Sequence, residues 1–122
     1  MEILTAAELL AALGHESRLA IFRLLIEAGQ EGMNASAIGE KLALPGATLS
    51  FHLAHLTRAG LITGKRESRF IRYTAKYETM SELMAFLTHN CCQGHECMPK
   101  RFSGPVDAKP VAPSSPPNEV EP

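Results

Sequence analysis

The chain has 122 residues, 45% of them apolar, and a formal net charge of −1, which is enough for one domain with a modest core and too little for two. No stretch approaches the ~18 consecutive apolar residues of a membrane span, and the start, MEILTAAELLAALG, carries Glu2 and Glu8 and no basic leader. The expectation is a cytoplasmic protein with no membrane partner. Three cysteines cannot all pair, so reduced thiols are expected, favouring metal binding or reactivity over a disulfide framework.

The elements follow in chain order. Thr5 and Glu8 have capping-box spacing, and Leu9, Leu10 and Leu13 lead to Gly14, which predicts a first helix over about 5 to 13. Leu19, Ile21, Phe22, Leu24, Leu25 and Ile26 predict a second helix over about 16 to 28, buried on more than one face and ended by Gly29. Asn34 can cap a short third helix, 35 to 43, on which Ile38 and Leu42 form an i, i+4 pair. Pro45-Gly46 breaks the chain. A fourth helix over about 47 to 59 then carries Leu49, Leu53 and Leu56 on one face and ends at Gly60. Two short helices across a tight turn are the pattern of a helix-turn-helix.

After Gly60 the period becomes strand-like: LITGKR and RFIRYT flank Glu67-Ser68 and predict a hairpin. Charge is concentrated there, with Arg58, Lys65, Arg66, Arg69, Arg72 and Lys76 in residues 58 to 76 against Glu67 alone. Such a stripe on a nearly neutral chain points to a local polyanion contact. YETMSELMAFLTHN places Tyr77, Met80, Leu83, Met84 and Leu87 on one face of a last helix, an apolar face suited to core or to a homodimer interface. Of eight prolines, seven fall between Pro99 and Pro122. Residues 98 to 122 are therefore expected to form a disordered tail, leaving a folded domain over 1 to 97.

Together these segments resemble the arsenic-repressor (ArsR/SmtB) family of bacterial regulators. ALGHESRLAIFRLL is similar to the family's opening stretch, and TLSFHLAHLTRAGLI resembles its recognition helix at Ser50, His52, Leu53, Leu56, Gly60 and Leu61. The resemblance implies a winged helix-turn-helix, mainly α with a small β-hairpin (α+β) in the order α-α-α-α-β-β-α, with the basic hairpin as the wing. It implies a homodimeric repressor on double-stranded operator DNA. Residues 35 to 44 hold no cysteine, so the family's third-helix metal motif is absent. The sensing site implied is a C-terminal cluster of the kind that a subgroup of arsenic-responsive members carries.

With the leucines inward, the fourth helix presents Thr48, Phe51, His55 and Arg58, flanked by Ser50 and His52, as candidate DNA contacts. Hydroxyls and imidazoles can donate to phosphates or base edges, and Phe51 can meet a thymine methyl group. Lys65, Arg66, Arg69 and Arg72 of the wing would contact phosphates or the minor groove. Two such helices about a dimer axis would read an inverted repeat about one helical turn apart.

All three cysteines lie within HNCCQGHEC, residues 89 to 97. Zinc motifs usually separate cysteines by two to four residues, which adjacent Cys91 and Cys92 do not. A soft ion such as As(III) or Sb(III) takes three sulfurs in a pyramid, and Cys91, Cys92 and Cys97 match that count, Gly94 easing the reversal between them. The expected inducer is therefore arsenite or antimonite, with no organic cofactor. A divalent ion (Zn or Cd) ligated with help from His89 or His95, and thiol oxidation, are the alternatives. No Cys-x-x-Cys pair or phosphate cradle is present, and no enzyme is expected.

Overall fold

The structure, a computed structural model, describes residues 1–94; His95, Cys97 and the proline-rich tail lie outside them. The α-helices and the sheet belong to the unit Met1–Thr88, while His89–Gly94, with a short 3-10 turn at Cys91–Gly94, belong to a second unit. In order, the elements are α1 (Ile3–Leu13), α2 (Glu16–Ala28), a 3-10 turn (Gly29–Glu31), β1 (Met33–Asn34), α3 (Ala35–Leu42), α4 (Gly46–Ala59), β2 (Ile62–Glu67), β3 (Phe70–Ala75) and α5 (Tyr77–Leu87). The expected mainly helical order holds, with one addition: β1 joins the hairpin to make a three-stranded antiparallel sheet, β1-β3-β2.

Helix α2 spans the predicted residues and forms the centre of the core through Ile21, Phe22 and Leu25, all buried. Leu19, expected in the same buried run, is exposed. Helix α1 differs from expectation. It starts two residues early, and Thr5 makes no cap: Glu2 stands at the N-cap without a side-chain bond, its carbonyl accepting from Ala6 N–H at 2.9 Å. Ala6, Leu9 and Ala12 form its buried stripe, and two alanines in that stripe let the helix lie close on α2 and α4. Asn34 caps α3 as its residue type predicts, Oδ1 accepting from Ala37 N–H at 2.8 Å.

Sheet register decides which wing side chains share a face. Ile62 pairs with Ala75, Lys65 with Arg72 and Glu67 with Phe70. Since side chains alternate, Lys65, Glu67, Phe70 and Arg72 share one face, while Arg66 lies on the face that begins with buried Ile62 and Ala75. Ser68 takes the left-handed conformation (φ 59°) that turns the hairpin.

Gly32 sets the approach of β1 to β3. Its φ is +64°, and a Cβ there would fall inside the carbonyl oxygen of Tyr73 and 2.7 Å from Thr74 Cγ2. Gly32→Ala is therefore expected to lower stability by about 2–4 kcal/mol, adding left-handed strain to overpacking. Urea unfolding checks this, and a loss below about 1 kcal/mol would show that β1 gives way easily.

Candidate nucleic-acid interface

The α3–α4 pair is built by three residues of turn and one close contact. Ala43 ends α3 in the left-handed conformation (φ 56°), and Leu44 N–H returns to Gly39 O at 3.0 Å. Pro45 then precedes the first turn of α4, accepting through its carbonyl from Leu49 N–H at 2.9 Å. Proline suits this place because its fixed φ and missing N–H cost nothing ahead of a helix. A Cβ on Gly39 would sit 3.2 Å from Leu49 Cδ2, so the two helices pack closely here and even a methyl group at 39 would require the Leu49 side chain to shift by a few tenths of an ångström. Leu49, Leu53 and Leu56 are buried as expected, and Gly60 closes the helix with φ 87°.

Burial of that seam leaves Thr48, Ser50, Phe51 and Arg58 exposed and His55 half-buried on the outer side. Thr48, Phe51, His55 and Arg58 follow one another at steps of three, four and three, a single stripe along the helix. Phe51 is 61% exposed, and its ring meets His55 edge-on at 6.5 Å. Burial first, then Arg18 and Arg58, holds the His55 imidazole below its ordinary titration range. An approaching phosphate opposes these effects and favours the charged, donating form.

Two sequence expectations need correction. His52, placed among the DNA contacts, is 5% exposed and faces inward, because position 52 lies three residues from Leu49 and four from Leu56 on the buried side. Arg72, placed among the wing contacts, is committed elsewhere: Nε bonds Glu67 Oε1 at 2.9 Å and Nη1 donates to Glu31 O at 2.9 Å. It fastens the wing to the 3-10 turn. Lys65, Arg66 and Arg69 remain exposed on the hairpin, Arg69 at its tip. Sequence reasoning also missed Arg18, which reaches from α2 to His52; its only signal was a cation within an apolar helix.

The division of labour in the wing has a measurable consequence. Lys65→Ala and Arg69→Ala are each expected to reduce the slope of log K against log salt by about 0.9 for each phosphate the side chain neutralises. Arg72→Ala should leave that slope nearly unchanged and lower stability slightly, as the exposed pair with Glu67 is worth about 0–1 kcal/mol. DNA-binding titrations at several salt concentrations read both.

Asn90, Cys92, Gln93 and Gly94 all have positive φ (56°, 55°, 59° and 91°), which reverses the chain within a few residues. Gln93 N–H bonds Asn90 O at 3.0 Å, and Cys91 Sγ lies 3.6 Å from Cys92 Sγ. Cys92 is disulfide-bonded, which corrects the expectation of reduced thiols at that position. Once it is reduced, two thiolates on one ion with metal–sulfur bonds of ~2.3 Å stand at about the same separation. Cys97 lies outside the described residues, and among those described no group of three His, Cys, Asp or Glu side chains comes together as a metal site. No described helix is long and apolar enough to cross a membrane.

A helix pair with an exposed polar and aromatic stripe, followed by a basic hairpin, defines a winged helix-turn-helix, the architecture of DNA-binding regulators. Residues 13–65 match the family described as helix-turn-helix domain. The chain is 33% identical to the HTH-type transcriptional regulator YgaV of Escherichia coli over 87 residues, 71% of this chain and 86% of YgaV. Its structure is similar to that of HlyU from Vibrio cholerae (TM-score 0.59, 30% identity, 76% of this chain and 100% of that one). HlyU is described as a transcriptional activator, and one of its solved forms as reduced. An ArsR-like transcriptional regulator from Rhodococcus sp. RHA1 is also similar (TM-score 0.65, 25% identity, 75% of this chain and 83% of that one). The chain belongs to the ArsR/HlyU family of helix-turn-helix transcriptional regulators, which bind DNA and are not enzymes.

Proposed function

We propose that this regulator is a repressor that holds an inverted-repeat operator as a homodimer and releases it when Cys91, Cys92 and Cys97 capture trivalent arsenic or antimony. The observation that carries the reading is the 3.6 Å approach of Cys91 Sγ to Cys92 Sγ in a segment that directly follows α5 in the chain. Cys92 is disulfide-bonded in this structure, so a cellular thiol must first reduce it; capture then exchanges the three hydroxyls of arsenous acid for three sulfurs and releases three waters, with no change in the oxidation state of the ion. Thiols suit this ion because soft sulfur ligands bind it without the tetrahedral spacing that zinc demands.

Homodimer formation is supported by the terminal helices. Helix α5 buries Leu83 and leaves Tyr77, Met84 and Leu87 exposed, while α1 exposes Ile3, Leu4 and Leu10. Exposed apolar side chains concentrated on the two terminal helices suit burial against a second copy. Ligand capture in the segment that follows α5 in the chain can then alter how two copies of α4 are spaced. A hundredfold fall in operator affinity requires the ion to favour the releasing state by about 2.7 kcal/mol, a modest fraction of three metal–thiolate bonds.

The second reading is a thiol-redox regulator. It is favoured by the same sulfur proximity and by the reduced form described for HlyU. A gel-shift titration on the protein's own promoter with arsenite, antimonite, zinc, cadmium and peroxide separates the readings. Release by micromolar arsenite or antimonite supports the proposal, and release by peroxide alone supports the redox reading. Release by zinc or cadmium alone assigns the site to a divalent ion.

A further inference from the structure

Three side chains, Arg18, His15 and His52, meet at the inner side of α4 and take no part in the outward-facing stripe. Arg18, in the first turn of α2, donates through Nε to Ala12 O at the end of α1 (2.7 Å), and its Nη1 lies 3.4 Å from His52 Nδ1 on α4. His15, at the N-cap of α2, accepts from Ser17 N–H through Nδ1 (3.1 Å) and places its ring 4.7 Å from that of His52. One guanidinium thus ties three helices at a single corner.

The chemistry of the tie is one-sided. Guanidinium nitrogens only donate, so the contact is a hydrogen bond only while His52 Nδ1 keeps its lone pair and the ring proton sits on Nε2. Protonation would set a donor against a donor beside a fixed positive charge. The groups that act on His52 are His15 and Arg18 of α2 and His55 of α4; α1 contributes the carbonyl of Ala12, and no carboxylate is among them. Burial first, then His15, Arg18 and His55, all hold the imidazole below its ordinary value of 6.5.

We propose that Arg18 and His52 are positioning residues for DNA binding: their hydrogen bond pins α4 to the α1–α2 corner in the orientation that meets DNA, and protonation of His52 releases it. The inference rests on the reading of α4 as the DNA-contacting helix. Its sign is fixed. The unfolded chain takes up the proton more readily than the folded one, so the contribution to stability is full above 6.5 and decays as pH falls below that value. His55 works the other way, since phosphate favours its charged form and acid strengthens that contact. The deciding comparison is therefore between proteins that differ only at position 52.

His52→Asn places an amide oxygen close to where Nδ1 accepts and removes the titration. Arg18→Met keeps the aliphatic stem and removes the donors. Fluorescence anisotropy of the full chain on its own promoter duplex and on a scrambled duplex, at about pH 7.5 and about pH 5.5, reads the effect. Wild type should lose about tenfold more operator affinity than His52→Asn over that range, with no such difference on the scrambled duplex. Arg18→Met should weaken operator binding at the higher pH. Parallel profiles for wild type and His52→Asn would overturn the proposal, as would full operator affinity in a folded Arg18→Met. Circular dichroism at both pH values reports folding, and should Arg18→Met not fold, the wild-type and His52→Asn pair decides alone. Phe51→Ala and Arg58→Ala distinguish the two failures. Operator binding unchanged in both would remove α4 as the DNA-contacting helix, whereas weakened binding in these with parallel pH profiles would remove only the tie.

Discussion

Cys91→Ser and Cys92→Ser should each leave operator affinity within about twofold of wild type and raise the arsenite concentration needed for release by about a hundredfold or more. The two halves of this result have separate causes. Both cysteines lie in a segment beyond Thr88, and no candidate DNA contact does, so the apo protein should bind as before. A hydroxyl, by contrast, is a hard donor that does not replace a thiolate on a soft ion, and a three-sulfur site reduced to two sulfurs loses a third of its bonds. Serine differs from cysteine by one atom, but at Cys92 it also removes a disulfide, so both variants are compared with the fully reduced wild type. Gel shifts with and without arsenite measure both halves on the same samples. Unchanged release in either variant would remove that cysteine from the site.

A second large effect is expected from charge placed on the terminal helices. Leu10→Glu combined with Met84→Glu should convert the protein to a monomer in sedimentation and lower operator affinity by about 10²–10⁴-fold, the loss that follows when two linked half-site contacts become independent. Both side chains are exposed in the protomer, 44% and 38% respectively. The substitutions therefore cost little within one chain, and the circular dichroism melt at high protein concentration reports dimer loss rather than core damage. In a dimer interface two carboxylates would be buried without partners. A variant that stays dimeric with full affinity would place the interface elsewhere.

Much of this was legible in the sequence, for reasons that differ by element. Helix α2 announces itself by a dense apolar run ended by Gly29, and α4 by leucines at 49, 53 and 56; these are local, periodic signals that packing reinforces. The Asn34 cap and the hairpin around Ser68 are likewise local. What escaped was set by distant partners. β1 is two residues long and exists because Met33 and Asn34 meet Tyr73 and Arg72. The inward turn of His52 follows from helical spacing, but its partner Arg18 is 34 residues away in sequence, and the Glu31 carbonyl that holds Arg72 is 41 away. Periodicity carries no information about such pairs. The Thr5–Glu8 capping box failed for a different reason: Ile3 and Leu4 extend α1 backwards, so Thr5 lies inside the helix and the free amides that a box would satisfy sit earlier in the chain.

The central claim is that thiol capture and DNA release are one event. It is tested most directly by titrating arsenite into the protein bound to a fluorescent promoter duplex, following anisotropy while counting reactive thiols in the same sample. Starting from fully reduced protein, coincident curves, with three thiols consumed per protomer as the DNA is released, are predicted. Complete consumption of three thiols with the DNA still bound would contradict the account.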